Sequence, residues 1–195
     1  MTLLLNIPSV SAVELSPDLD AINLRISEIF YSLQGETSRI GLPTVFIRLT
    51  GCPLRCGYCD SEYAFYGGAR QSIANILQQV SLHATPYVTV TGGEPLAQKN
   101  SLVLLTALCD AGYSVSLETS GALPIVAVDK RVARIMDIKT PDSGELSKMH
   151  WQNLQALRPS DEIKFVLCSE VDYQWARALL HEKNLSAIAP VIFSP

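Results

Sequence analysis

Three of the chain's five cysteines fall within eight residues, in the stretch Gly51-Cys52-Pro53-Leu54-Arg55-Cys56-Gly57-Tyr58-Cys59-Asp60. Their spacing is C-x3-C-x2-C, directly after the apolar run Thr44-Val45-Phe46-Ile47-Arg48-Leu49. Three cysteines this close cannot all pair with one another, and an odd total argues against a disulfide framework. The pattern reads as a strand delivering a thiolate loop to the rim of a sheet. Structural zinc takes four ligands, and no fourth Cys or His lies nearby; the nearest histidine is His83. Asp60 would be a harder fourth donor, less suited than sulfur to zinc or iron. Three thiolates match three irons of a cubane cluster and leave the fourth iron open to a small molecule. A zinc module on the same thiolates stays open at this point.

Composition narrows the classes. A chain of 195 residues is most simply one domain with a sizeable core, and 48% hydrophobic against 17% charged residues argues against disorder. The net charge of -4, without a block of Lys or Arg, disfavours direct nucleic-acid binding. No apolar run reaches the ~18 residues of a membrane span. The N-terminus has no basic region ahead of its leucines, so it is not read as a signal peptide. Clustered thiols without such a signal point to the reducing cytoplasm.

Residues 1–22 carry Pro8, Ser9, Ser11 and Pro17 and show little periodicity, so they read as a loosely attached, poorly ordered extension. Residues 23–195 form the domain. Strands are expected at 24–30, 44–50, 87–91, 114–118, 134–138, 162–168 and 188–193. Helices are expected over Ile73 to Val80, from Asn100 to Gly112, over Trp151 to Leu157, and from Asp172, as cap, to Leu180. Strands alternating with helices imply parallel βα units. Six strands from residue 44 onward are fewer than the eight of a closed barrel, so the sheet is expected to be open or a partial barrel. Ligands in such sheets bind beyond the carboxyl ends of the strands.

The residues just past each strand are therefore informative. Beyond the cysteine loop these are Thr91-Gly92-Gly93-Glu94-Pro95, Glu118-Thr119-Ser120-Gly121 and Asp137-Ile138-Lys139-Thr140-Pro141. Two glycines admit a ligand close to the backbone, and a glutamate beside them accepts from an ammonium group. Each of these stretches is also an ordinary cap or turn on its own. Arg48, inside an apolar strand, would be costly if unpaired. Cys109 and Cys168 fall in apolar patterns and read as inert core residues, while His83, His150 and His181 read as surface residues.

The combination resembles the radical S-adenosylmethionine (SAM) superfamily: C-x3-C-x2-C after a first strand, Tyr58 before the last cysteine, then Gly-Gly-Glu-Pro after the second strand. It is most similar to the 7-carboxy-7-deazaguanine synthase (QueE) family. Phe30-Tyr31-Ser32-Leu33-Gln34-Gly35-Glu36, Phe46-Ile47-Arg48, the run from the cysteines to Asp60-Ser61, Thr91 to Pro95 and Glu118 to Gly121 carry that likeness, which covers roughly residues 23 to 194. The resemblance implies a partial (β/α)6 barrel of TIM type. It also implies a lyase that contracts 6-carboxy-5,6,7,8-tetrahydropterin to 7-carboxy-7-deazaguanine with loss of ammonia, on the route to queuosine and other 7-deazapurines. Cys52, Cys56 and Cys59 would hold a 4Fe-4S cluster whose open iron is chelated by SAM. Tyr58, Gly92, Gly93, Glu94, Ser120, Asp137, Ile138 and Lys139 would contact SAM. Leu33, Gln34, Gly35, Arg48 and Thr91 would contact the pterin, and the Ser61 hydroxyl would hold Mg²⁺. An electron donor such as flavodoxin and a homodimer are implied partners.

Two departures stand against the family pattern. Ser61 replaces the usual Thr, and the chain ends at Ser194-Pro195 where family members continue, so it is expected to lack their C-terminal segment. Besides the zinc module, the rival reading is a radical SAM activase acting on a protein glycyl site.

Overall fold

The computed structural model describes residues 17–195. Eight strands make one sheet: β1 (Asn23–Leu33), β2 (Pro43–Leu49), β3 (Ala69–Ser72), β4 (Tyr87–Gly92), β5 (Ser114–Thr119), β6 (Ala133–Asp137), β7 (Glu162–Val166) and β8 (Val191–Ser194). Their spatial order is β3-β1-β2-β4-β5-β6-β7-β8. The six strands from β2 to β8 in that order run parallel, as the alternation of elements predicts. β1 lies antiparallel to β2, and β3 antiparallel to β1. With β3 and β8 as its two edges the sheet is open, a partial barrel. β3 has no apolar alternation (Ala-Arg-Gln-Ser), which hides it in the sequence; pairing with the free edge of β1 is what makes it a strand.

Alternation along the strands puts two chemistries on two faces. Val45, Ile47, Leu49, Val88, Val90, Val115, Leu117 and Phe165 are buried on one face. They pack against Ile76 and Val80 of α2 (Ile73–Ser81), Leu104 and Leu108 of α3 (Ser101–Asp110), and Leu179 of α4 (Glu170–Glu182). Each such side chain, fully buried, stabilises the fold by about 1.5–3 kcal/mol. The opposite face is polar. Its rungs run Glu28, Arg48, Thr91 across β1, β2 and β4, then Thr89 to Ser116, Glu118 to Ile135, and Asp137 to Lys164. A polar concave face on an otherwise apolar sheet marks the inside of the barrel as a place for ligands.

The segment after β1 folds under that face. Because β1 is antiparallel, Leu33 lies opposite Pro43, at the amino ends of the parallel strands. Gln34 Nε2 donates to Thr89 Oγ1 and to Glu118 Oε1, both at 3.4 Å. The Ser38 backbone N–H donates to Glu162 at 3.1 Å, and Lys164 pairs with Glu36. One end of the barrel is thus closed by residues 34–38, and the carboxyl ends of the strands remain for chemistry.

Several local expectations change. Residues 1–16 of the expected extension lie outside the described residues, but α1 (Pro17–Ala21) is a helical turn, and Leu19 and Ile22 pack on the core. Residues 151–156 form 3-10 rather than α-helix. Asn100 precedes α3 without a side-chain cap and instead donates from Nδ2 to Asn23 O at 3.0 Å. α4 is capped by Ser169, which accepts from Asp172 N; Asp172 itself turns inward and is fully buried. Cys168 is exposed, because β7 ends at Val166 and the apolar run overshoots the strand. The last strand is β8, later than the expected 188–193. His83 stacks on Tyr31 at 5.2 Å between ring centroids. No helix among the described residues is long and apolar enough to cross a membrane.

Candidate active site

β2 delivers the cysteine loop at its carboxyl end, and the loop is clamped to its neighbours by backbone bonds. Gly51 N donates to Ala64 O at 2.8 Å, Glu94 N to Gly51 O at 2.8 Å, and Gly93 N to Leu49 O at 3.2 Å. The two glycines are required by this contact as much as by any ligand. A Cβ on Gly93 would lie 2.3 Å from Gly51 O and 2.8 Å from Cys52 Cβ, and one on Gly92 would lie 2.2 Å from Leu49 O. Gly92 also holds φ at +143°, outside the range of ordinary side chains.

Cys52, Cys56 and Cys59 are all partly buried and none is in a disulfide. The Cys56 sulfur lies within electrostatic reach of both others. Burial pushes the Cys52 and Cys56 thiols up, while the Lys139 ammonium pulls both down. Among the described residues, no three His, Cys, Asp or Glu side chains converge as a single ion requires. Zn–S bonds near 2.3 Å would bring tetrahedral sulfurs within about 3.8 Å of each other. Three free, partly buried thiols on one short loop match the three ligands of an iron–sulfur cube with one open iron.

Around them lie the remaining expected SAM contacts. Lys139 is buried, donates from Nζ to Asp137 Oδ2 at 2.7 Å, and stands 5.4 Å from the centroid of the Tyr58 ring. Burial opposes its charge, but Asp137, Tyr58 and Cys56 outweigh that and hold the ammonium protonated. Burial pushes the Tyr58 phenol up. Ile138 is buried in the apolar core behind, so only its backbone is placed to act here. Tyr58 Oη and Asp137 Oδ1 are buried with no hydrogen-bond partner among the described residues. Such orphans beside three thiols are groups awaiting a polar ligand, and the site therefore fits a cluster with a nucleoside amino acid on it.

Glu94, an expected SAM contact, also has structural partners. It is fully buried, and its carboxylate accepts from Leu96 N at 3.0 Å, Thr119 Oγ1 at 2.9 Å, Ser120 N at 2.7 Å and Ser120 Oγ at 2.5 Å. Glu94 and Ser120 thus pair with each other, lacing the turn after β4 to the end of β5. An ammonium group would find Glu94 only as a further, shared acceptor.

The expected pterin contacts gather on the polar face. Arg48 is not unpaired: its Nε donates to Glu28 Oε1 at 2.7 Å, and Tyr63 Oη donates to the same oxygen at 2.7 Å. The guanidinium lies 5.8 Å from the ring centroids of Phe30 and Tyr63. Its two terminal nitrogens make no hydrogen bond among the described residues, which leaves a planar fork facing the barrel. Across the face, Thr91 Oγ1 donates to Glu118 Oε2 at 2.7 Å. Burial pushes the Glu118 carboxyl up, against the opposing pull of Thr91, Lys164 and Gln34. Gln34 is buried, whereas Leu33 is exposed with its side chain away from the face. Ser61, at the start of the 3-10 turn Glu62–Phe65, makes no side-chain cap, and its hydroxyl lies 3.9 Å from Cys59 Sγ.

Glu28, Tyr63 and Glu118 are site residues that sequence reasoning did not assign. Glu118 had a signal: in Ser-Val-Ser-Leu-Glu-Thr it shares one face with Ser114 and Ser116.

A family model described as the Radical SAM superfamily matches residues 46–142. A 7-carboxy-7-deazaguanine synthase of Koribacter versatilis (strain Ellin345) is 46% identical over 88% of this chain and 77% of that protein. One of Chlorobaculum tepidum is 45% identical over 88% of this chain and 80% of that protein. This chain belongs to the 7-carboxy-7-deazaguanine synthase family. Among solved structures, QueE from Escherichia coli superposes with a TM-score of 0.72 at 24% identity, covering 85% of this chain and 80% of that one, and shows the shared fold. Members of the superfamily use a 4Fe-4S cluster and SAM, and the thiolate loop, the Lys139–Asp137 pair and the orphaned Tyr58 hydroxyl are where this family member would hold them.

Proposed function

We propose that this chain is a 7-carboxy-7-deazaguanine synthase, a radical SAM lyase converting 6-carboxy-5,6,7,8-tetrahydropterin to 7-carboxy-7-deazaguanine with loss of ammonia. One observation carries the reading beyond family membership. The Arg48 fork and the Gln34–Glu118–Thr91 group lie side by side on the polar face of the sheet, with Arg48, Thr91 and Glu118 on the adjacent strands β2, β4 and β5, where β2 leads into the cysteine loop. A carboxylate at one end of the substrate matches a guanidinium fork, and the donor-rich pyrimidine edge at the other matches Glu118. Cluster and SAM together supply a 5′-deoxyadenosyl radical. The chain's own residues orient the substrate, neutralise its carboxylate and keep water from the reacting carbon. Residues 23–195 act as one domain in this role. Ser61, whose hydroxyl caps no helix and lies 3.9 Å from Cys59 Sγ, would hold Mg²⁺, a hard cation that takes oxygen donors and needs few from the protein. A cytoplasmic setting, an electron donor such as flavodoxin and a homodimer complete the reading.

Anaerobic reconstitution with iron and sulfide, reduction, and incubation with SAM and the carboxy-tetrahydropterin test it. A brown protein that forms 5′-deoxyadenosine and the deazaguanine is expected. SAM cleavage without turnover of the pterin, and with cleavage of a peptide glycyl C–H bond instead, would return the activase reading.

Glu118 gives this reading a pH dependence. Substrate N–H groups donate to its ionised form, so binding must expel the proton that burial retains, and affinity rises with pH until Glu118 is ionised in the free enzyme. KM for the pterin should fall as pH rises toward the raised Glu118 value, above that of an exposed carboxylate. In Glu118→Gln that slope should flatten and KM should rise roughly 10-fold or more, the cost of one hydrogen bond to a charged group. An unchanged slope in the variant would exclude Glu118 from substrate binding.

A further inference from the structure

The cysteine loop makes few bonds of its own. Between Cys52 and Cys59 only two backbone amides bond within the loop, Leu54 N to Cys52 Sγ at 3.4 Å and Cys59 N to Cys56 O at 3.2 Å. The Arg55 guanidinium adds bonds from Nη1 to Cys52 O at 2.8 Å and Leu54 O at 2.6 Å, so all but one of these lie in the first half of the loop. Fixing an unsupported backbone costs about 1–2 kcal/mol per residue, so something else must hold the thiols in register.

A neighbouring strap does so. Residues 140–148 leave β6 and run alongside the loop, touching it at three successive points. Arg55 N donates to Glu145 Oε1 at 2.7 Å, Gly57 N to Ser143 O at 3.0 Å, and Lys148 Nζ to Pro53 O at 3.3 Å. Glu145 is 6% exposed, and its second oxygen faces Lys148 at 2.8 Å. The strap is itself tied down. Glu145 N donates to Ser143 Oγ at 3.1 Å, and Ser143 Oγ to Thr140 O at 2.6 Å. At its base the fully buried Asp172 of α4 accepts from Thr140 Oγ1 at 3.0 Å, Asp142 N at 3.0 Å and Cys168 N at 3.1 Å.

We propose that Glu145 is a positioning residue for the iron–sulfur cluster: through the Arg55 amide it sets the shape of the thiolate loop and places a buried negative charge beside it. The proposal rests on the cluster assigned above. Two physical effects result. Ordering the loop before iron arrives lowers the cost of binding, and outer partners of this kind are worth roughly 10–100-fold in metal affinity. A carboxylate near the cluster also disfavours the added electron, since potential follows local charge and hydrogen bonding.

The test compares wild type, Glu145→Gln and Glu145→Ala as full chains, measuring amide exchange in iron-free protein, iron retained after chelator challenge, and midpoint potential by EPR-monitored titration. In Glu145→Ala, exchange should rise across residues 52–60 alone and iron retention should fall roughly 10–100-fold. Glu145→Gln, which keeps an acceptor for Arg55 N and loses the charge, should restore retention and exchange but show a higher potential. The proposal is overturned if exchange, retention and potential all stay at wild-type values. It is overturned equally if Glu145→Ala loosens the whole chain, with exchange rising everywhere and the melting temperature falling, because that marks a general structural role. A wild-type chain that takes up no iron would refute the cluster itself, while the exchange arm would still report on the strap.

Discussion

Arg48→Ala should lower kcat/KM for the carboxy-tetrahydropterin by roughly 10²–10³-fold, the usual range for removing one partner of a desolvated charge pair. The side chain is held in place before any substrate arrives. Glu28 takes its Nε, the rings of Phe30 and Tyr63 flank the plane, and Tyr63 steadies Glu28 from the other side. Three of the guanidinium's neighbours therefore fix its orientation without engaging its terminal nitrogens. A substrate carboxylate that docks there meets a preorganised fork, and little side-chain entropy remains to be lost. In the alanine variant Glu28 is left facing the substrate carboxylate with no cation between them, and like charges repel. Arg48→Lys should recover only part of the loss, since a point charge neither forks nor stacks. The decisive split is between products. SAM cleavage to 5′-deoxyadenosine should persist, because Arg48 makes none of the contacts around the thiols, whereas deazaguanine formation should collapse through KM. A variant with wild-type KM would falsify the assignment of Arg48 to the substrate carboxylate.

The same residues show what the sequence could and could not reveal. The parallel order of β2 and β4–β8 was legible because the strands are short apolar runs that mostly alternate with helical patterns, and the cysteine spacing pointed to a cluster once Tyr58 and Gly-Gly-Glu-Pro were read with it. Arg48 was legible as an anomaly, a charge within such a run. Its partners were not, because Glu28 and Tyr63 come from 20 residues before it and 15 after, and only the antiparallel pairing of β1 with β2 brings Glu28 across from it. Glu118 was noticed only as part of a strand end. Its meaning depends on which face it shares with Thr89, Thr91 and Gln34. Glu94 was legible as a ligand contact from its neighbours in sequence, but its bonds to Thr119 and Ser120 were not, since they cross from β4 to β5. Glu145, too, carries no local pattern, since its partner amide lies 90 residues away. Periodicity reads elements and faces. Pairings across the sheet are a property of topology.

The largest effect on stability is expected from Asp161→Ala, a loss of about 3–5 kcal/mol, typical of removing one member of a buried charge group. Asp161 is fully buried between β6 and β7. It accepts from Arg134 N at 3.0 Å and Arg134 Nη2 at 2.5 Å, and from Arg158 N at 2.8 Å and Arg158 Nη2 at 3.1 Å. Without it, the Arg134 guanidinium, itself 3% exposed, keeps only carbonyl partners at Ala156 and Ile125. Asp161→Asn should cost less, since the amide oxygen still accepts, but it leaves two cations facing a neutral group. Burial raises the Asp161 carboxyl, and the donors from Arg134 and Arg158 more than reverse this, leaving it below the ordinary aspartate value. A carboxyl lowered on folding stabilises the chain fully above its unfolded pKa, near 3.9, and the contribution disappears as pH falls through the lower folded value. Chemical denaturation of wild type and Asp161→Asn at pH 7 and at pH 3 checks both parts. The gap between them should be wide at pH 7 and narrower at pH 3, with both chains retaining the same m-value. A gap that stays constant across that range would mean that the ion group adds packing and hydrogen bonds but no charge-dependent stability.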